Sequence, residues 1–205
     1  MIADPRLEQW LHALLAERGL TAVSDRDEAR RVHVDDALAA VDALGAGPVV
    51  DVGSGGGSPG IPIAVARPDL RVDLLEAQRR KCAFLEAAAA ELPNVSVVCA
   101  RAEAHGRGDG RDAYGTAVAQ ALAPPPIALE WCLPLVRPGG KVILLTGAVD
   151  LEGAATTARQ IGGGPPELAA LPGSEHRSLL VVPKVEATPE RFPRRAGVAR
   201  KRPLA

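Results

Sequence analysis

Apolar residues recur near the start of the chain at a helical interval. Leu7, Trp10, Leu11, Leu14 and Leu15 fall at i, i+3, i+4, i+7 and i+8, one face of an amphipathic helix over 5–17. Gly19 is placed to end it. A second helix is predicted over 27–44, apolar at Val34, Ala37, Leu38, Val41 and Leu44. The pattern then changes to short apolar runs divided by alanine-rich or proline-opened segments. Residues 48–52 read as a buried strand, followed by a helix opening near Ile61, and 71–76 as a second strand. Residues 78–92 form a helix with Cys82, Leu85, Ala89 and Leu92 on one stripe. Strands follow at 95–100 and 116–122, then a proline-opened helix at 125–136. Arg137-Pro-Gly-Gly is a turn, 141–146 a strand, 150–161 a helix, 162–166 a loop and 178–185 a last strand.

This alternation predicts the α/β class: a doubly wound, mainly parallel sheet covered by helices on both faces. Ligands of such sheets bind beyond the carboxyl ends of the strands, where strand order reverses. That places the loops after Val52, Leu75, Ala100 and Ala119 around one crevice. The expected organisation is a short helical cap over 1–45, a ligand-binding domain over 46–187 and a tail over 188–205.

One loop carries most of the chemistry. DVGSGGGSPGIP, from Asp51 to Pro62, follows a strand and opens a helix. Gly53, Gly55 and Gly57 permit a tight turn and let a ligand approach the backbone. Two cofactors compete for it. Gly55 to Gly60 satisfies the dinucleotide pattern Gly-x-Gly-x-x-Gly, which docks a pyrophosphate on the helix. Asp51 to Gly57 equally satisfies acid-x-Gly-x-Gly-x-Gly, the loop of S-adenosylmethionine sites. Glu76 closes the second strand and suits the ribose of either ligand. After the third strand, Arg101-Ala102-Glu103 sets an acid beside a backbone amide, placed for an adenine edge. Acids after three successive strands, with Arg-Pro-Gly-Gly before KVILL, favour S-adenosylmethionine over the dinucleotide.

Composition narrows the partners. A chain of 205 residues, 47% hydrophobic, buries a real core as one domain. No apolar stretch nears the roughly 20 residues of a membrane span, and MIADPRLEQW lacks the character of a secretory signal. Cys82, Cys99 and Cys132 lie far apart without metal-ligand spacing, so no metal is expected, and the chain reads as reduced and cytoplasmic. Net charge is −1 and aromatics are 2%, so any nucleic-acid contact needs a local patch. The tail supplies one in Arg191, Arg194, Arg195, Arg200, Lys201 and Arg202. It is either a frayed, solvated end or a clamp on RNA phosphates, with Phe192 free to stack a flipped base.

From about residue 19 onward the chain resembles the bacterial glucose-inhibited division protein B family, the 16S ribosomal RNA guanine-N7 methyltransferases. GLTAVSDRDEARRVHVDDAL is similar to that family's Asn-Leu-Thr stretch and His-x-x-Asp-Ser-Leu helix, with His33, Asp36 and Leu38 in register. DVGSGGGSPGIPIAVARPDLRVDLLEAQRRKCAFL resembles its cofactor loop almost residue for residue, and ATPERFPRRAGVARKRPL resembles its tail. The resemblance implies a class I (Rossmann-like) methyltransferase fold with S-adenosylmethionine at Gly53, Ser58, Glu76, Ala102 and Glu103. Asp51, Ser54, Gly55, Gly57 and Gln120 complete the expected contact set. It further implies ribosomal RNA, or the small ribosomal subunit, as partner, with no oligomer required.

In two places the chain departs from the family. Ala119-Gln120-Ala121 stands for Ala-Arg-Ala, and Leu145-Thr146-Gly147 for Leu-Lys-Gly. Each exchanges a crevice cation for a neutral group, at about 1.5–3 kcal/mol per lost charge-assisted contact. Gln120, Thr146 and His33 are the candidate substrate-positioning residues, His33 equally suiting a bridge between the two N-terminal helices. Asp35 and Asp36 read as a solvated face, Trp10 and Trp131 as packing. Retained activity with tail cations in place of the lost pair, a changed substrate (another RNA or a small molecule), and cofactor binding without turnover all stay open. A nicotinamide dehydrogenase is a remote further reading.

Overall fold

Strand β1, Val49–Val52, is buried at every position and lies inside a seven-stranded sheet. Its valine run needs no polar face because both sides of the sheet are covered. The computed structural model describes residues 4–205 apart from 172–173 and 175–176. The other strands are β2 (Val72–Glu76), β3 (Val95–Cys99), β4 (Tyr114–Gln120), β5 (Val136–Thr146), β6 (Glu167–Ala170) and β7 (Ser178–Pro183), in the order β3-β2-β1-β4-β5-β7-β6. β1 to β5 are parallel, and β7 lies antiparallel between β5 and β6. The link from β6 to β7 is too short for a crossover helix, so the chain reverses there. Strand order reverses between β1 and β4, which fixes the crevice where the sequence places it.

Helix α1 (Pro5–Ala16) starts on Asp4, whose side chain accepts from the Arg6 N–H at 2.9 Å, with Pro5 in the first turn. Helix α2 (Arg26–Arg30) starts on Asp25, which accepts from the Glu28 N–H at 2.9 Å. The uniform helix expected over 27–44 is instead a broken run: α2, a π-turn at Arg31–Asp35, α3 (Asp36–Ala39) and a 3₁₀ turn at Val41–Ala43. The wider turn resets the register and carries Val34, Asp36 and Ala37 inward together. Asp36 is therefore buried, not part of a solvated face.

The remaining helices are α4 (Gly60–Ala66), α5 (Arg79–Ala88), α6 (Ala102–His105), α7 (Pro125–Cys132), α8 (Leu151–Gln160) and α9 (Val198–Lys201). α5 ends short of the expected 92 because Pro93 and Asn94 follow; the Asn94 amide donates to the Ala64 and Leu70 carbonyls at 3.0 Å each. α7 tightens into a 3₁₀ turn at Leu133–Leu135, where Pro134 supplies no N–H. Arg137–Gly140 is not a free turn. Val136 pairs with Tyr114, and the register then shifts so that Lys141 pairs with Thr116. β6 and α6 escape the sequence reading: β6 is exposed throughout and α6 spans a single turn.

One face of the sheet packs Leu7, Trp10, Leu11 and Leu14 of α1 with Ile61, Ile63, Leu74 and Val118, so the cap shares a core with the sheet. The other face buries Leu129, Leu133, Val142, Ala154 and Phe192. Phe192 is 2% exposed, which removes both a frayed tail and a freely stacking ring. The tail is tied down by distant donors. Arg111 donates to the Thr188 and Phe192 carbonyls at 2.6 and 2.8 Å, and Arg107 to the Pro193 carbonyl at 2.8 Å. Among the described residues no helix is long and apolar enough to cross a membrane.

The cysteines depart from the reduced state expected of them. Cys82 on α5 and Cys99 at the end of β3 are joined as a disulfide, their Cα atoms 5.8 Å apart, while Cys132 is free and buried. Folding brings together what 17 positions of sequence separate. Closing such a loop stabilises by about 3 kcal/mol in the chain-entropy account. Maleimide labelling of the denatured, unreduced chain is expected to find one thiol, and three after reduction. Three thiols without reductant would show the bridge absent.

Candidate functional site

The site grows from the end of β1. Gly53 and Gly55 take positive φ (+73° and +57°), turning the chain sharply upward from the strand. The Gly53 and Ser54 N–H groups donate back to the Leu75 carbonyl at 2.7 and 3.1 Å, which fixes the loop beside β2. Glu76, at the end of β2, answers from the other side. Its Oε2 accepts from the Gly55 N–H at 3.0 Å, and its Oε1 from the Ala77 and Gln78 N–H groups at 2.8 Å each. The carboxylate is thus clamped by backbone, with three of its roughly four lone-pair sites taken and one, on Oε2, left for a hydroxyl donor.

Around this carboxylate runs a trough made of two adjoining cavities. One, of about 300 Å³, is lined by Gly53, Glu76, Gln78, Ala102, Glu103 and Trp131. The other, of about 240 Å³, is lined by His33, Ser54, Gly55, Ser58 and Gln120. Gly53, Lys81 and Ala121 belong to both. A Cβ on Gly53 would meet Leu122 Cδ1 at 2.4 Å, so the floor stays bare. Beyond Gln120 lies a third cavity of about 220 Å³, between β4, β5 and the cap, lined by Asp36, Thr146, Leu171 and Arg177. Gln120 lines the second and third cavities and stands at their junction.

Most of the expected residues converge here: Gly53, Ser54, Gly55, Ser58, Glu76, Ala102, Glu103 and Gln120 line the trough, and Thr146 the third cavity. Asp51 and Gly57 line neither part of the trough. Asp51 lies under the loop, fully buried, with Oδ2 accepting from the Gly60 N–H at 3.0 Å, and burial pushes its pKa up to about 7. It braces the turn rather than facing a ligand. Gly57 is a packing glycine, since a Cβ there would meet Ile61 Cδ1 at 2.5 Å.

Gln120 makes one protein hydrogen bond at each end of its amide. Its Nε2 donates to the Val32 carbonyl at 2.9 Å, and its Oε1 accepts from the Ser58 hydroxyl at 2.7 Å. The neutral amide therefore latches the π-turn of the cap to the glycine loop. His33 both lines the trough and bridges within the cap, its Nε2 lying 2.8 Å from Thr21 Oγ1; burial lowers its pKa and favours the neutral ring. Trp10 does more than pack, because its indole N–H donates to the Gly56 carbonyl at 2.8 Å and pins α1 to the loop. Asp36 forms an ion pair with Arg177, the residue preceding β7. Burial pushes the Asp36 pKa up to about 6 against the pull of Arg177. Nothing local in the sequence marks Arg177, whose place depends on the reversed strand.

The tail cations separate into kinds. Arg200 lines the 300 Å³ cavity and lies over the Trp131 ring, 5.3 Å from its centroid. Arg194 is consumed by buried Glu130, its Nε 2.6 Å from Oε1. Arg191, Arg195, Lys201 and Arg202 are exposed.

The donor set fits S-adenosylmethionine and not a dinucleotide. A pyrophosphate needs free N–H groups at the loop, but the Gly57 N–H is spent on the Ser54 carbonyl at 2.6 Å and the Gly60 N–H on Asp51. The trough instead presents the carboxylates of Glu76 and Glu103, with Lys81 on the wall that its two parts share.

The family model described as rRNA small subunit methyltransferase G matches residues 5–163. The "Ribosomal RNA small subunit methyltransferase G" of Moorella thermoacetica is 40% identical over 197 residues, 90% of this chain and 82% of the relative. That of Pelotomaculum thermopropionicum is 36% identical over 222 residues, covering 100% of this chain and 93% of the relative. Among solved structures, the S-adenosylmethionine-dependent methyltransferase SibL superposes with a TM-score of 0.63 at 16% identity, covering 90% of this chain and 71% of that one. A SAM-dependent methyltransferase from Aquifex aeolicus gives 0.59 at 11% identity, over 76% and 93%. The structural likeness carries the fold, a class I methyltransferase sheet, and the sequence match carries the family: this chain belongs to the small-subunit ribosomal RNA methyltransferase G family.

Proposed function

We propose that this chain transfers a methyl group from S-adenosylmethionine to N7 of a guanine in 16S ribosomal RNA. The observation that supports the reading is the junction at Gln120, where the trough meets the third cavity with its Asp36–Arg177 pair. Bound S-adenosylmethionine supplies an electrophilic methyl group on a positively charged sulfur. Glu76 and Glu103 orient the nucleoside half, Lys81 holds the carboxylate end, and Ser58 and Gln120 set the wall through which the methyl carbon is reached. Guanine N7 carries a free in-plane lone pair, so no general base is required. Held by these residues, the cofactor would supply its methyl group to that lone pair, with sulfur as the leaving atom, so the chain itself moves no proton. The protein's task is to hold N7 in line at about 3 Å. The exposed cations Arg191, Arg195, Lys201 and Arg202 are available to RNA phosphates, and a ribosomal RNA substrate is in keeping with a cytoplasmic activity.

Incubating the pure chain with methyl-labelled S-adenosylmethionine and unmodified small subunits is expected to put label into N7-methylguanosine, read by mass spectrometry after nuclease digestion. Label in another nucleoside would overturn the N7 assignment. Binding of S-adenosylhomocysteine without any label transfer would show that turnover has lapsed with the two lost cations.

A further inference from the structure

The third strand-end acid has a partner that the rest of the cofactor site lacks. Glu103 is 7% exposed, and its Oε1 accepts from the backbone N–H of Gly197 at 3.1 Å, across 94 positions of sequence. Gly197 and Arg200 line the same cavity as Glu76 and Glu103. The segment reaches this place through a built path. Arg107 and Arg111 hold the carbonyls of Thr188, Phe192 and Pro193, the Glu130–Arg194 pair fixes the next step, and Gly197 turns the chain with φ +81°. Arg200 then folds over Trp131, which is 7% exposed and has an indole N–H without an acceptor among the described residues.

We propose that residues 197–200 of the C-terminal tail are part of the adenine subsite, forming its outer wall and holding Glu103 in the orientation that reads the adenine amino group. The inference rests on the assignment of the trough to S-adenosylmethionine. A carboxylate has two oxygens; the tail amide takes Oε1 and leaves Oε2 for the amino group. The tail amide also restricts the rotation of Glu103, so less freedom is lost when the ligand arrives. Arg200, stacked on Trp131, lines the outer side of the cavity. The tail therefore serves the cofactor before it serves any RNA.

Calorimetry with S-adenosylhomocysteine, adenosine and inosine, without RNA, tests this on the full chain, on a chain ending at Ala196, and on full-length Arg200→Ala. Truncation is expected to weaken S-adenosylhomocysteine and adenosine by the same factor, at least tenfold, and Arg200→Ala by three- to fivefold without lowering the melting temperature. Inosine, which has no amino group for Glu103, is expected to bind weakly and to lose less affinity on truncation than adenosine does. Unchanged affinity in both variants would overturn the proposal, and so would tighter binding after truncation, which would make the tail a plug. If the shortened chain does not fold, Arg200→Ala decides alone. If the intact chain binds no S-adenosylhomocysteine, the cofactor assignment itself falls, and the tail's role with it.

Discussion

Glu76→Ala is expected to lower S-adenosylhomocysteine affinity at least a hundredfold and to lower the melting temperature in the same variant. Three backbone N–H groups, of Gly55, Ala77 and Gln78, end on this one carboxylate, and the side chain is 6% exposed. A hydrogen bond to a charged acceptor is worth about 1.5–3 kcal/mol, and the abandoned donors add their own desolvation cost. Loss of the carboxylate therefore frees the Gly55 N–H while Gly53 and Ser54 stay bonded to the Leu75 carbonyl, and it removes the acceptor proposed for the ribose at the same time. Glu76→Gln separates the two effects. Its amide oxygen still accepts from Ala77 and Gln78, while its NH₂ now faces the Gly55 N–H, donor against donor. The glutamine variant is expected to stay folded and to recover little affinity. Calorimetry and thermal melting read both quantities, and alanine binding within threefold of the native chain would remove Glu76 from the site.

That carboxylate is legible in the sequence because everything defining it is local: a strand, a glycine loop, a second strand and an acid at its end. The same holds for the parallel sheet, since each βαβ step is encoded in one short window. Features missed by the sequence reading join windows far apart. The Glu103–Gly197 bond, the Arg111 bonds to the tail carbonyls and the Asp36–Arg177 pair each need the fold to bring two ends of the chain together. Periodicity also fails where the period itself changes. The π-turn at 31–35 buries Asp36, which a regular helix would leave beside Asp35 on a polar face. Gln120 shows a different limit. Its position was legible, but not that both ends of its amide are taken by Val32 and Ser58. A residue type names the bonds it can make, and only the neighbours decide which are made.

If Gln120 is a latch, a cation for the substrate must come from elsewhere, and Arg177 is the only one among the described residues that line the third cavity. Guanine presents O6 as acceptor beside two N–H donors on its Watson–Crick edge; a guanidinium next to a carboxylate is the complement, and it leaves N7 free. Arg177 and Asp36 are ion-paired with one another. Arg177→Ala is accordingly expected to cut methyl transfer about a hundredfold, the equivalent of about 2.7 kcal/mol. Affinity for S-adenosylhomocysteine should stay within twofold, because Arg177 does not line the trough. The pH dependence carries the same signature. Asp36 must be ionised to accept from guanine, and its pKa is raised from 3.8 to about 6, first by burial. Methyl transfer is therefore expected to fall as pH drops below about 6, toward tenfold per unit. Stability from this group moves the opposite way: a carboxyl with a raised folded pKa binds its proton more tightly when folded. Its contribution is thus greatest below about 4 and is lost as pH rises through 6. Asp36→Asn should remove both trends, leaving a slow enzyme without that acid limb. An unchanged limb in Asp36→Asn, or full activity in Arg177→Ala, would place guanine recognition outside this cavity.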